Sequence, residues 1–133
     1  MEMNEICLVR MVFPNTEDAR EFMQWMLDEK LVAYAISQRA ATYRLEMTAD
    51  EDGIVGYKVD ENALGIASED KEDDILLEIY TGKHLAGKID DIIESHYESV
   101  IDSYIVIPVL SASRRIRVAV RNLMMYHQKN GMN

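Results

Sequence analysis

Two stretches of this chain follow one strand, helix, strand plan with almost no slack between elements, and that doubling restricts the fold more than any other feature. The clearer copy runs from Asp74 to Val109. An apolar strand (Ile75, Leu76, Leu77, Ile79) leads into a helix expected at 83–95, with Leu85, Ile89, Ile92 and Ile93 on one side, and a second strand follows from Tyr104 to Val109. The first forty residues repeat the plan. Ile6, Cys7, Leu8, Val9, Met11, Val12 and Phe13 read as a strand that stops at Pro14, and Asn15 or Thr16 can cap a helix behind it. In that helix Ala19, Phe22, Met23, Met26 and Leu27 recur at the spacing of a single buried face. A third apolar run, Leu31 to Ile36, follows directly. The pattern predicts an α+β domain: a ferredoxin-like split βαβ–βαβ antiparallel sheet with an additional C-terminal helix.

At 133 residues the chain is expected to be a single domain, 1–133, large enough to bury a real core. No apolar run nears the roughly 20 residues of a membrane span, and the acidic start (Glu2, Glu5) is unlike the basic opening of a signal peptide. The expectation is a cytoplasmic protein with no membrane partner. A lone cysteine, Cys7, excludes an intramolecular disulfide and a multi-cysteine zinc site, and its place in a strand suits a buried thiol.

Net charge is −10, unevenly spread. Residues 46–74 hold eleven acidic and two basic side chains, whereas residues 114–129 hold five basic and no acidic ones. So acidic a chain lacks the broad positive footprint of a nucleic-acid binder, and none is expected as a partner. Arg114, Arg115, Arg117 and Arg121 alternate with Ile116, Val120, Leu123 and Met124 at helical spacing. That predicts an amphipathic helix lying on the sheet or on a neighbouring subunit, its arginines forming a solvated face rather than a phosphate site.

Between Tyr43 and Asp74 the pattern weakens into an acidic excursion at about 48–72, punctuated by Gly53 and Gly56, with a short strand-like stretch around Tyr57 to Val59. The clusters Asp50, Glu51, Asp52 and Glu69, Asp70, Asp73, Asp74 offer oxygen ligands for Mg²⁺ or Ca²⁺. Neither has the spacing of an EF-hand loop, so solvated loop charge is the plainer account.

Two stretches resemble the CutA proteins, small ferredoxin-like trimers named for divalent-cation tolerance and structurally akin to the PII signalling proteins. The first runs from Phe13, Pro14, Asn15 and Thr16 through Asp28, Glu29, Lys30, Leu31, Val32 and Ala33. The second joins Ile75 to Thr81 with Ser95, His96, Tyr97, Glu98 and Ile105 to Val109, similar to that family's E-x-x-L-x-I-K-T, H-P-Y-E and I-x-x-L-P-V segments. Tyr43 with Glu46 is similar to its S-x-Y-x-W-E-G. The departures are specific: Tyr34 replaces a cysteine, Leu45 a tryptophan, Met47 a glycine and Tyr80 a lysine, and the proline before Tyr97 is missing.

The resemblance implies a non-enzymatic homotrimer that binds a small ligand, a metal ion or a protein partner at clefts between subunits, in metal tolerance or signalling. The ligand-binding residues it implies are Tyr43, Glu46, His96, Tyr97 and Glu98, with Arg39 or Arg44 from a neighbour. For copper or another divalent metal the candidate ligands are Met11 and His96, soft and borderline donors that suit Cu(I). Each has a bland alternative: Met11 as core, His96 as a cap. The competing readings are a small enzyme using His96, Tyr97 and Glu98 in such a cleft, and a PII-like adaptor contacting its partner through the acidic excursion. No G-x-S-x-G, Cys-His pair or P-loop is present, so no catalytic residue is assigned.

Overall fold

The computed structural model describes residues 5–43, 45–49, 53, 55–59 and 73–131. The chain runs β1 (Ile6–Phe13), α1 (Thr16–Asp28), β2 (Tyr34–Ala40), β3 (Leu45–Ala49), β4 (Val55–Val59), β5 (Asp74–Gly82) and α2 (Lys83–Ile92). A π-helical turn (Ile93–Tyr97), β6 (Ser103–Pro108) and α3 (Arg114–Lys129) complete it. Four strands form one sheet in the order β2-β5-β1-β6, every neighbour antiparallel. This is the ferredoxin-like split βαβ arrangement with its extra helix. β3 and β4 form a separate antiparallel pair, so the excursion begins as a two-stranded ribbon. The acidic residues 50–52 and 60–72 of the excursion, and Arg44, lie outside the described residues.

Strand position follows composition. β1 and β5, largely apolar on both faces apart from Arg10 in β1 and Glu78 and the terminal Asp74 in β5, occupy the centre, and the more polar β2 lies at an edge. One face carries Cys7, Val9, Met11 and Phe13 beside Thr81, Ile79, Leu77 and Ile75, and these pack with Ala19, Phe22 and Met26 of α1 and Leu85, Ala86 and Ile89 of α2. Leu27, expected on the buried face of α1, is 48% exposed because it falls at that face's margin.

Local chemistry sets the boundaries. Asn15 is the cap of α1, its Oδ1 accepting from the backbone N–H of Glu17 and Asp18 at 2.8 and 3.2 Å. At the other end Lys30 takes φ 56°, and the Lys30 and Leu31 N–H groups return to the carbonyls of Leu27 and Met26. That left-handed closure turns Leu31 into a buried plug, so β2 begins at Tyr34 rather than at Leu31. The predicted helix at 83–95 ends as α-helix at Ile92 and continues as the π turn. α3 packs against β5 and β2 of its own chain, with Val120 and His127 buried and Met124 over Gly82.

Candidate functional site

His96, Tyr97 and Glu98 sit on and just beyond the π turn, where the wider winding swings successive side chains apart. Tyr97 goes inward. Its ring lies edge-on to Phe13 and Phe22, at centroid distances of 6.2 and 5.0 Å, while its hydroxyl donates to Glu21 Oε1 at 3.2 Å. Burial, helped by that carboxylate, pushes the Tyr97 phenol up to about 12, so it is a proton donor and no base at neutral pH. His96 is exposed, with its ring 5.0 Å from Trp25, and Glu98 is exposed two residues further on. The turn therefore offers solvent an imidazole on an indole shelf with a carboxylate nearby.

Beside it, Tyr104 of β6 donates to Asp90 Oδ1 of α2 at 2.6 Å. That hydrogen bond, with burial and the charges of Glu94 and Glu98, pushes its phenol up to about 12.

Tyr43 follows β2 and is 69% exposed, beside Thr42, whose hydroxyl donates to Asp74 Oδ2 at 2.5 Å. Glu46 lies opposite Lys58 in the β3–β4 ladder. Arg39 is exposed on β2 opposite Ile75. Tyr43 follows β2, one edge of the sheet, whereas the His96–Glu98 turn packs through Tyr97 and His96 on Phe13 of central β1 and on Phe22 and Trp25 of α1 before leading into β6, the other edge. The ladder registers set the end of β2, the end of β1 and the start of β6 at the same end of the sheet, with β5 and β1 between the two edge strands.

Met11 is 0% exposed, between Leu77 of β5 and Tyr104 of β6 in the sheet register. Antiparallel pairing thus sets the start of β6 beside the end of β1, although the sequence left room for the two to lie far apart. Even so, Met11 is enclosed by core and His96 stands in solvent against Trp25. Among the described residues no three of His, Cys, Asp or Glu gather as a metal-binding group. Cys7 is buried, and that burial pushes its thiol up against a weaker downward pull from Lys83, which leaves it a poor nucleophile.

A groove of about 510 Å³ opens at the start of α2, lined by Glu5, Lys83, His84, Gly87 and Met124. Near it the hydroxyl of Thr81, fully buried, has no hydrogen-bond partner among the described residues.

Sequence reasoning passed over one feature on the sheet face turned away from α1 and α2. There Arg10 of β1 reaches Glu78 of β5, its Nε and Nη2 donating to Oε2 at 3.2 and 3.0 Å. The signal was present: these are the single charges interrupting the apolar runs Ile6–Phe13 and Ile75–Ile79.

No family model matches the sequence, and no curated protein matches it. Solved structures do match. The divalent ion tolerance protein CutA1 from Ehrlichia chaffeensis superposes with a TM-score of 0.58 at 18% identity, covering 92% of this chain and 97% of that one. CutA1 from Oryza sativa gives 0.58 at 17% identity over 90% and 93% of the two chains. CutA from Synechococcus elongatus gives 0.57 at 12% over 93% and 94%. At such identities the likeness is one of fold, and in fold this chain is a divergent CutA-like protein.

Proposed function

We propose that this protein is a non-enzymatic, self-associating CutA-like protein, a homotrimer that binds a small ligand, a metal ion or a protein partner at clefts between its subunits. The observation that carries the reading is the sheet face left open beyond α3. Tyr34 and Ile36 of β2 and Ile105 of β6 are 39%, 39% and 51% exposed there, with Leu76, Tyr80, Val12 and Ile107 half-buried among them. Contiguous apolar surface of this kind on a folded domain marks an interaction site. In an assembly a neighbour can bring its Tyr43 and Glu46 edge toward the His96–Glu98 turn. Glu98 and His96 would then be the polar groups a ligand meets, and Tyr97 would hold the turn from below.

The ligand class follows by analogy. Structural neighbours are called divalent cation or divalent ion tolerance proteins, and the Synechococcus elongatus protein was also solved with a Bis-Tris molecule. A role in divalent-cation response is the reading this supports. Light scattering at micromolar concentration is expected to give a single species of three-chain mass, and a stable monomer would reject the proposal. A thermal-shift screen of metals and small polar metabolites then identifies the ligand, since anything that binds only the native state raises the melting temperature.

A further inference from the structure

We infer that the Arg10–Glu78 pair is the register determinant of self-association, its two charges shared across the interface between copies of this chain packed through the open sheet face. The inference rests on the self-associating reading above. In the register of the sheet, one row across this face reads Ile36, Glu78, Arg10, Ile105. The rows on either side read Gln38, Leu76, Val12, Ser103 and Tyr34, Tyr80, Leu8, Ile107. One ion pair therefore sits at the centre of a patch whose other residues are apolar or uncharged.

In an isolated chain the pair does little. Arg10 is 45% exposed and Glu78 15%, and exposed ion pairs contribute about 0–1 kcal/mol. An aromatic or β-branched pair would suit the middle of a sheet better. Its worth changes when the face is covered. Arg10 uses Nε and Nη2 on one carboxylate oxygen, Glu78 Oε2, so its remaining N–H donors and the Oε1 of Glu78 stay available to a second pair. A buried charge is tolerated only when fully paired, so partners that align arginine with glutamate are accepted and slipped registers are penalised.

The occupant that matches is a second copy. Net charge is −10 for the chain, so two copies repel over most of their surface. This patch carries one positive and one negative group and is neutral, and it presents to its own copy both the charge each member needs and the apolar surface around them.

Reversing one charge tests this. The wild type, Arg10→Glu, Glu78→Arg and the double reversal are compared by sedimentation velocity over a dilution series, with far-ultraviolet circular dichroism reporting the fold. Each single reversal is expected to weaken assembly by at least about tenfold while the chain stays folded, and the double reversal to recover most of that loss. Arg10→Gln is run beside them in case a reversal unfolds the chain. It keeps a polar side chain of similar reach but leaves the Glu78 carboxylate without its cation, and it is expected to weaken assembly by about tenfold as well. Single variants that assemble like the wild type, or a double reversal that recovers nothing, overturn the inference and leave the self-association reading standing. A wild type that stays monomeric overturns both.

Discussion

Truncating Met11 distinguishes a packing residue from a metal ligand. Its side chain has no exposed surface and is enclosed by Leu77, Tyr104 and the helices above β1. Met11→Ala removes that filling and leaves a cavity, which in close-packed cores costs about 2–5 kcal/mol. A central value of about 3 kcal/mol, divided by an unfolding entropy of roughly 0.28 kcal/mol/K for a domain of this length, lowers the melting temperature by about 10 °C. Met11→Leu keeps the volume and is expected to cost under about 1.5 kcal/mol, a shift of less than about 5 °C. The assay is thermal unfolding at one fixed protein concentration, with added copper and with chelator, so that assembly and metal enter as controls. Chelator should leave all three melting curves where they are. The packing argument fails if Met11→Ala costs less than about 1 kcal/mol. It fails differently if Met11→Leu melts like the wild type yet loses a copper-dependent stabilisation that the wild type shows.

Gly82→Ala drives a methyl group into the Met124 sulfur at an ordinary φ of −77°, so the effect is steric; a loss of about 1–3 kcal/mol is expected, and Met124→Ala beside it should recover part of that loss in the same melting assay. The phenols of buried Tyr97 and half-buried Tyr104 are raised from 10.0 to about 12, so the folded state holds those protons more tightly than the unfolded chain does. The stability they contribute is complete below pH 10 and is lost as pH climbs toward about 12, and the double variant Tyr97→Phe with Tyr104→Phe should flatten that alkaline decline in denaturant titrations. Lys30→Gly should raise stability by up to about 1 kcal/mol, because a lysine at φ 56° carries a steric cost that glycine avoids; a lower denaturation midpoint would show that the lysine side chain contributes more than its backbone costs.

How far the sequence could be read depended on whether its signal was local. β1 was legible to the residue because seven apolar residues ended at Pro14, and the Asn15 cap was legible because an amide beside a helix start has few other uses. The start of β2 was not, since Leu31 and Val32 look like strand and only the left-handed Lys30 removes them from it. The π turn left no mark in hydrophobic spacing: Ile93 and Tyr97 face the core in either winding. His127, in the last turn of α3, is buried and bonds the Lys30 carbonyl, a contact between residues 97 apart that periodicity cannot carry. The candidate site was hardest. That Tyr43 follows one edge strand while the His96–Glu98 turn packs on α1 and leads into the other follows from strand order, which is a property of the whole chain.

Placing β1 at the centre of the sheet also sets a timetable for folding during synthesis. Its two hydrogen-bonded neighbours are β5, paired at Arg10 with Glu78, and β6, paired at Met11 with Tyr104. The first of these lies 68 residues downstream. At ribosomal rates of about 5–20 residues per second, β1 waits on the order of several seconds to more than ten for its partners. During that interval an apolar strand is left with both edges unpaired, and α1, which follows it directly and packs on it in the folded domain, is the first element made that can shield it. Slowing translation between α1 and β5 should therefore lower the soluble yield of this chain, whereas the same delay placed after β6 should leave it unchanged.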